Sequence, residues 1–334
     1  MRFPTKPRQL LPIVVTVAIV AIAARVLAPM IAKLSWAKVV AALRAIPTDA
    51  LIISGVLVVV LYSALATYEA IVARTLAGPV SSRRAMLGAL LAAPIGHLVG
   101  WGAVSGGAVR YRLYRAVLMR PIDIGKFVLL AAMPYPLGLG LLLGLSLVMQ
   151  SEAAAAILHV SAELARGSGL ALLALHAFYL TLVVNQRGPL KVGRLVMTLP
   201  APPLTAVQYL IGAIEVTAGA CVLYILIPAE IAPPFLVFVG VYVLSIIAGL
   251  ASSVPAGIGV FEATLLTLLP AAPREQLFAI VFAYRCLLEF VPFAIAVTTL
   301  VAYEAWWRLP RQRARHAELK RAEDEQRARE LGED

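Results

Sequence analysis

Charge is scarce in this sequence. Only 14% of the 334 residues are charged, whereas about a quarter are charged in a typical soluble domain. The hydrophobic class makes up 61% of the chain, and the mean hydropathy is +0.89. Fifteen of the 47 charged residues fall within positions 308–334, so the rest of the chain is poorer still in charge. This composition excludes a water-soluble globular protein.

Cysteine and histidine are also scarce. Cys221 and Cys286 lie in apolar runs without the spacing of a disulfide framework or a zinc site. His97 and His176 are isolated in apolar runs, and we predict that both are hydrogen-bonded packing residues. The chain has no metalloprotease, P-loop or nucleophile-elbow motif, which disfavours ATP hydrolysis. We therefore predict no catalytic residue, metal site or cofactor.

Basic residues outnumber acidic ones, and the net charge is +11. Lys and Arg beside lipid-spanning runs are expected from the rules that orient membrane proteins and from contact with anionic headgroups. The predicted partner is therefore membrane phospholipid rather than nucleic acid.

Long apolar runs dominate the sequence. A hydrocarbon core about 30 Å thick requires roughly 20 apolar residues in a helix. Two further regions, Met86–Met119 and Phe235–Leu269, are apolar but interrupted. We predict an all-α polytopic membrane protein with about six full spans and two broken or re-entrant helical hairpins. The predicted spans are Leu10–Leu27, Ala50–Ala73, Phe127–Met149, Gly169–Val184, Leu204–Ile227 and Leu277–Ala302.

The loop charges predict the orientation. The N-terminus, segments 74–84 and 187–194, and the tail are basic, whereas loops 150–168 and 228–233 are mainly acidic. This alternation places both termini in the cytoplasm. Segment 31–49 conflicts with it, because this predicted external loop holds Lys33, Lys38 and Arg44. Their spacing predicts a helix lying in the membrane interface.

A weak internal repeat divides the chain. Superposing Gly107 on Gly257 aligns the two interrupted regions. We predict a first membrane repeat at 1–150, a second at 165–305, and a charged cytoplasmic tail at 308–334. An odd number of crossings in each half would invert the second half relative to the first, as in many transporters.

The first hairpin contains a basic segment after Gly106 and Gly107. Glycines at a helix start would expose backbone N–H groups to an anion. The planar guanidinium group of arginine binds phosphate through two hydrogen bonds, so Arg110 and Arg112 are predicted ligands of a lipid phosphate. The alternative is an ordinary cytoplasmic loop with orienting arginines.

The second hairpin contains Pro255, Gly257 and Gly259, followed by Glu262. Proline removes a donor and glycine permits close backbone approach, so a kink is predicted here. Glu262 would pair with a basic group, bind a proton or contact a cationic headgroup. Alternatively, it caps a helix start.

Charged side chains inside apolar runs are functional candidates, because they are costly in lipid. Glu69, Glu215 and Arg285 qualify, and Glu215 is predicted to face a polar interior. Arg285 and Glu289 are four residues apart, so mutual neutralisation is the alternative for that pair. For Glu69, the alternative is that the side chain extends to the nearby interface.

Three stretches resemble a known family, the transmembrane, flippase-type domain of lysylphosphatidylglycerol synthase/flippase proteins and its stand-alone relatives. They are Ser105–Tyr114, Val254–Glu262, and Tyr284-Arg285 followed by Pro292. The resemblance implies a multi-pass protein of the bacterial inner membrane that moves aminoacylated phospholipid between leaflets. It also implies that Arg110, Arg112, Glu262 and Arg285 belong to a lipid site, and Tyr284 is a further intramembrane polar candidate.

The chain departs from this family pattern in three ways. Ala256 stands where a second glycine is usual, and Glu289 stands where an aromatic residue is common. We also expect no soluble aminoacyl-transfer domain, so an enzymatic role is disfavoured and the identity of the lipid stays open.

The predicted function is ATP-independent transport of an anionic or aminoacylated phospholipid. The alternatives are an intramembrane enzyme that modifies lipid headgroups, or a non-transporting partner of a lipid-synthesis enzyme, for example in hopanoid synthesis. A homo-oligomer is compatible with each of these functions.

Overall fold

The computed structural model describes residues 35–303, apart from 100–101, 116, 186–189, 193–194, 198, 253 and 270–273. The predicted span Leu10–Leu27, Lys33 and the tail at 308–334 lie outside the described residues.

The described chain is helical apart from one short ribbon, which confirms the all-α fold class. Strands β1 (Leu190–Val192) and β2 (Leu195–Met197) pair antiparallel within the loop between two helices. The last helix contains a π-helical segment at Cys286–Phe290. The helices are α1 (Trp36–Arg44), α2 (Thr48–Thr75), α3 (Ser82–Val99), α4 (Gly102–Arg115), α5 (Pro121–Ala132), α6 (Pro134–Met149), α7 (Ser151–Leu158), α8 (Ala162–Val184), α9 (Pro202–Tyr224), α10 (Phe235–Ala251), α11 (Val260–Leu268) and α12 (Arg274–Tyr303).

Among the described residues, five helical segments are long and apolar enough to cross a membrane. They coincide with five of the six predicted spans. Continuous apolar sequence forms these helices because a helix satisfies its own backbone hydrogen bonds in lipid. The segments are Thr48–Thr75, Pro121–Met149, Ala162–Val184, Pro202–Tyr224 and Arg274–Tyr303.

Segment 31–49 contains the predicted helix, α1. Lys38 and Arg44 are exposed, Val39 is buried, and the ring of Trp36 contacts Phe278 of α12 edge-on. The prediction of a helix in this segment is therefore confirmed. That this helix lies in the membrane interface stays a prediction.

The first hairpin is not broken at the predicted residues. Ser105–Gly107 lies inside α4, which runs continuously from Gly102 to Arg115, so the prediction of a break at these residues is wrong. A Cβ atom on Gly106 would lie 2.8 Å from the carbonyl oxygen of Ala92 on α3. The glycine serves close helix packing, as small residues do in membranes, and its amide is not exposed at a helix start.

The second hairpin is broken where the sequence predicts. Helix α10 ends at Ala251, a 3-10 turn forms at Pro255–Gly257, and α11 begins at Val260. Gly257 and Gly259 have φ angles of 59° and 88°, a region that glycine adopts without steric cost. Gly107 and Gly257 thus differ in conformation, although the repeat aligns them.

Helix α9 forms the centre of the packing and contacts α2 and α6 extensively. It approaches α6 most closely where two glycines face each other. A Cβ atom on Gly212 would lie 2.0 Å from the carbonyl oxygen of Pro134, and one on Gly138 would lie 2.2 Å from that of Gly212. The absence of side chains at these positions sets the distance between the two helices.

Helix α2 is tied to its neighbours by side-chain hydroxyl groups. Ser54 donates to the carbonyl of Val222 on α9, and Tyr62 donates to that of Leu288 on α12. Tyr68 donates to the carbonyl of Leu130 on α5. Such bonds between helices contribute to association in lipid, where apolar burial alone gives little preference for protein over lipid.

The contact between α6 and α9 yields a stability test. We expect Gly212→Ala to lower the free energy of unfolding by about 1–3 kcal/mol, the usual cost of overpacking, because the new methyl group meets rigid backbone. Thermal unfolding of the detergent-purified protein measures the change. Gly55→Ala is the control, since no atom lies within 4 Å of a Cβ there, and alanine favours helix. Equal midpoints for the two variants would contradict the packing argument.

Candidate functional site

Two buried arginines lie in the polar interior of the bundle, and each pairs with a carboxylate from another helix. Arg110 is 8% exposed and Arg285 is 5% exposed. A buried charge in an apolar environment requires a partner of opposite sign and hydrogen bonds for its remaining donors. The surroundings of the two arginines therefore define two clusters.

The first arginine cluster consists of Glu69 on α2 with Arg110 and Tyr114 on α4. Nε of Arg110 donates to both carboxylate oxygens of Glu69, at 3.0 and 3.2 Å, and Nη2 forms a further short bond. Tyr114 donates to Oε2 of Glu69 at 3.2 Å. Glu69 is only 3% exposed. It pairs internally and does not extend to the interface, which was the alternative for this residue.

This pairing bears on the predicted phosphate site. Arg110 and Arg112 are two residues apart on a helix, a spacing that places them on different faces. Arg112 is accordingly exposed while Arg110 is buried. The structure does not bring the two guanidinium groups together, and the charge of Arg110 is neutralised by Glu69. Phosphate binding by these residues stays a prediction.

The second arginine cluster consists of Glu262 on α11 with Arg285 and Glu289 on α12. Nε of Arg285 donates to Oε1 of Glu262 at 2.7 Å, and Nη1 donates to the carbonyl of Ala256 at 2.9 Å and to Glu289. The guanidinium carbon lies 4.7 Å from the ring centroid of Phe261, a favourable cation–π distance. Arg285 thus binds both sides of the helix break.

Glu262 has two roles here. Its Oε2 accepts a 2.6 Å hydrogen bond from the backbone N–H of Gly259, which caps the start of α11 in the manner of the third residue of a capping box. Its other oxygen pairs with Arg285. Glu262 is therefore both a helix cap and an ion-pair partner, two roles that the sequence presented as alternatives.

Ala256 adopts a conformation that glycine would adopt more readily. Its φ angle is 54°, in the left-handed region that costs a residue with a Cβ atom roughly 1 kcal/mol. Its carbonyl accepts from Arg285, an interaction that helps to hold this backbone conformation. Ala256 therefore occupies a turn position whose backbone conformation is typical of glycine, the residue that is usual there in the family.

Two side-chain atoms of the second arginine cluster have no hydrogen-bond partner among the described residues. Nη2 of Arg285 and Oε2 of Glu289 are buried, and neither has a hydrogen-bond partner in the described part of the chain. A buried donor or acceptor without a partner costs about 1–3 kcal/mol, and more when it is charged. A donor and an acceptor on adjacent charged groups thus lack a hydrogen-bond partner among the described residues.

A third site pairs Glu215 on α9 with His97 on α3. Oε1 of Glu215 lies 3.9 Å from Nε2 of His97. His97 forms no hydrogen bond to a described residue, in contrast to the prediction. His176 does form one, since its Nδ1 lies 2.7 Å from the hydroxyl of Tyr209. Glu215 is 6% exposed and therefore lies in the interior.

The hairpins bring these sites together. Helix α3 packs against both the turn at Pro255–Gly257 and the π-helical segment at Cys286–Phe290. A Cβ atom on Gly219, one turn after Glu215, would lie 2.4 Å from the hydroxyl of Tyr242. That hydroxyl lies 2.8 Å from the hydroxyl of Tyr284, beside Arg285. The Glu215–His97 pair and the second arginine cluster therefore share one polar region.

Sequence reasoning identified neither Tyr114 nor Tyr242 as a contributor to the site. Tyr114 could have been found, because it lies one helical turn after Arg110. Tyr242 gave no sequence signal, since it is one aromatic residue in a uniformly apolar helix. Gln208 lies two turns before Glu215, and its Nε2 donates to the hydroxyl of Tyr68 at 2.9 Å.

Comparison with known proteins adds two relatives. No family model matches the chain. "Uncharacterized protein slr0712" of Synechocystis sp. is 28% identical over 272 residues, which are 80% of this chain and 84% of the relative. "Inner membrane protein YbhN" of Escherichia coli is 27% identical over 280 residues, 82% of this chain and 86% of the relative. The chain is a membrane-embedded protein. The apolar helices and the extended similarity to YbhN agree on this point.

The first arginine cluster yields a thermodynamic prediction. We expect Glu69→Gln or Arg110→Gln to lower the free energy of unfolding by about 3–5 kcal/mol, because each leaves an unpaired buried charge. The double variant should lose less than the sum of the single losses, and equilibrium unfolding in detergent would measure all three.

Arg120→Gln is the matched control for this cycle. Arg120 pairs with Asp123 at 2.7 Å on an exposed surface, where such pairs contribute little. Strictly additive losses at Glu69 and Arg110 would contradict the pairing.

Proposed function

We propose that this chain is an ATP-independent lipid flippase of the bacterial inner membrane. We infer that it is related to the transmembrane, flippase-type domain of lysylphosphatidylglycerol synthase/flippase proteins. The name of the relative YbhN supports the inner membrane as its location. Two stretches that carry the family resemblance, Val254–Glu262 and Tyr284-Arg285, contact each other through Arg285 and Glu262, which supports a shared role.

The observation that carries the proposal is the pair of unpartnered atoms at Arg285 and Glu289. A lipid headgroup must pass a hydrocarbon layer about 30 Å thick, and its charges need partners on the way. Nη2 of Arg285 offers a donor to a phosphate oxygen, and Oε2 of Glu289 offers an acceptor to an ammonium group. The acyl chains would remain in the surrounding lipid.

Charge favours a headgroup that carries an amine. When its members are ionised, the second arginine cluster has one positive group, Arg285, against two negative ones, Glu262 and Glu289. A phosphate alone would add to this negative excess, whereas a headgroup with both phosphate and ammonium satisfies both free atoms. We therefore place headgroup contact at Arg285 and Glu289, and we regard Arg110 with Glu69 as a structural pair.

Reconstituted transport tests this function. Purified protein in liposomes should move acyl-labelled phosphatidylethanolamine or aminoacylated phosphatidylglycerol between leaflets faster than phosphatidylglycerol, as followed by chemical quenching of outer-leaflet label. Arg285→Lys should slow transport about tenfold or more, since a charge-assisted hydrogen bond contributes about 1.5–3 kcal/mol and 1.4 kcal/mol is tenfold. Glu289→Gln should reduce the preference for amine-bearing lipid.

Lys126→Gln is the control variant, because the Lys126 side chain is 61% exposed and lies outside the clusters. Its transport rate should equal the wild-type rate. Equal rates for liposomes with and without protein would overturn the proposal. A new lipid species in mass analysis of the reaction would instead favour a headgroup-modifying enzyme.

A further inference from the structure

Glu215 differs from the other buried carboxylates of the polar interior. Glu69, Glu262 and Glu289 each contact an arginine. Among the described residues, Glu215 forms an ion pair with no lysine or arginine, and the one basic group within 4 Å is His97. An ionised carboxylate without a cation is costly at this depth in a membrane. A bound proton removes that cost.

His97 is placed to supply and accept the proton. It lies near the end of α3, and its side chain is 36% exposed, whereas that of Glu215 is 7% exposed. The imidazole is therefore more exposed than the carboxylate beside it. Their separation of 3.9 Å is longer than a hydrogen bond, so one water molecule or a small shift of α3 would complete the contact.

Other polar groups surround the pair without neutralising Glu215. The ring of Tyr135 on α6 lies 6.2 Å from that of His97. Arg110 on α4 lies within electrostatic range of His97, but its charge is already balanced by Glu69. The buried and partly buried titratable or charged groups on the surrounding helices include Tyr62, Tyr68 and Glu69 (α2), His97 (α3), Arg110 and Tyr114 (α4), Tyr135 (α6), His176 and Tyr179 (α8), Tyr242 (α10), Glu262 (α11), and Tyr284, Arg285 and Glu289 (α12).

We propose that Glu215 is a proton-binding site that exchanges its proton through His97, and that its occupancy is coupled to lipid movement. The proton passes between water and the Glu215 carboxylate, with His97 Nε2 as the intermediate carrier. While the proton resides on His97, the ionised Glu215 carboxylate attracts the imidazolium on α3, and the attraction ends when the proton passes to water or returns to Glu215. Because α3 also packs against Pro255–Gly257 and Cys286–Phe290, this attraction acts on the second arginine cluster.

The coupling rests on the proposed flippase function, but proton binding does not. Infrared spectroscopy of the purified protein measures proton binding directly, because a protonated carboxyl group has its own C=O stretching band. Titration in detergent or nanodiscs should show a band that disappears as the pH rises. Glu215→Gln should remove this band. Glu152→Gln, which changes an exposed glutamate in the first turn of α7, should leave it unchanged.

A second variant protects the test against misfolding. If Glu215→Gln is not monodisperse on size exclusion, His97→Gln serves in its place, and it should shift the midpoint of the titrating band. A wild-type protein without a titrating carboxyl band would overturn the proton site. A band that is unchanged in a folded Glu215→Gln protein, or a midpoint that is unchanged in a folded His97→Gln protein, would also overturn it.

Transport measurements test the coupling separately. Wild-type lipid movement should change with pH, while that of Glu215→Gln should be constant over the same range. A titrating Glu215 band combined with pH-independent wild-type transport would overturn the coupling and leave proton binding intact. If the band is present but no transport occurs at any pH, the flippase function and the coupling are both overturned. The proton site at Glu215 would still stand.

Discussion

The ion pair between Glu262 and Arg285 is the interaction on which the polar interior depends. Arg285 binds the carbonyl of Ala256 on one side of the helix break and the carboxylate of Glu262 on the other. Glu262 in turn caps α11 through Gly259. Non-helical backbone at membrane depth is tolerated where protein satisfies its polar groups. Arg285 satisfies the carbonyl of Ala256 within the break and fixes α11 against α12.

An excess of acid over base follows from this arrangement. The two arginine clusters and Glu215 together hold two arginines and four glutamates. The first cluster is balanced, so the unbalanced acids are Glu289 in the second cluster and Glu215 beside His97. Neutralising them requires positive charge from elsewhere. An ammonium group at Glu289 and a proton at Glu215 meet the same requirement, which links the two proposals by one physical cause.

Glycines set how closely the helices that carry these groups approach each other. Gly106 lets α4 approach α3, and Gly212 with Gly138 lets α9 approach α6. A Cβ atom on Gly106 would also lie 3.0 Å from Nη1 of Arg110, so this glycine leaves room for the arginine that pairs with Glu69. Small residues at helix contacts thus make space for charged groups, although they carry no charge themselves.

The sequence alone determined the all-α class, five of the described spans and the break at Pro255–Gly259, because apolar length and the backbone limits of proline and glycine are local properties. It also identified Glu69, Glu215, Glu262 and Arg285 as unusual, since charge in an apolar run is visible without a fold. It misplaced the first break, because the sequence does not distinguish a glycine that packs against a neighbouring helix from one that interrupts a helix.

Only the tertiary structure decided which side chains are partners. The pairing of Arg110 with Glu69, the free atoms of Arg285 and Glu289, and the isolation of Glu215 beside His97 depend on side chains far apart in the chain.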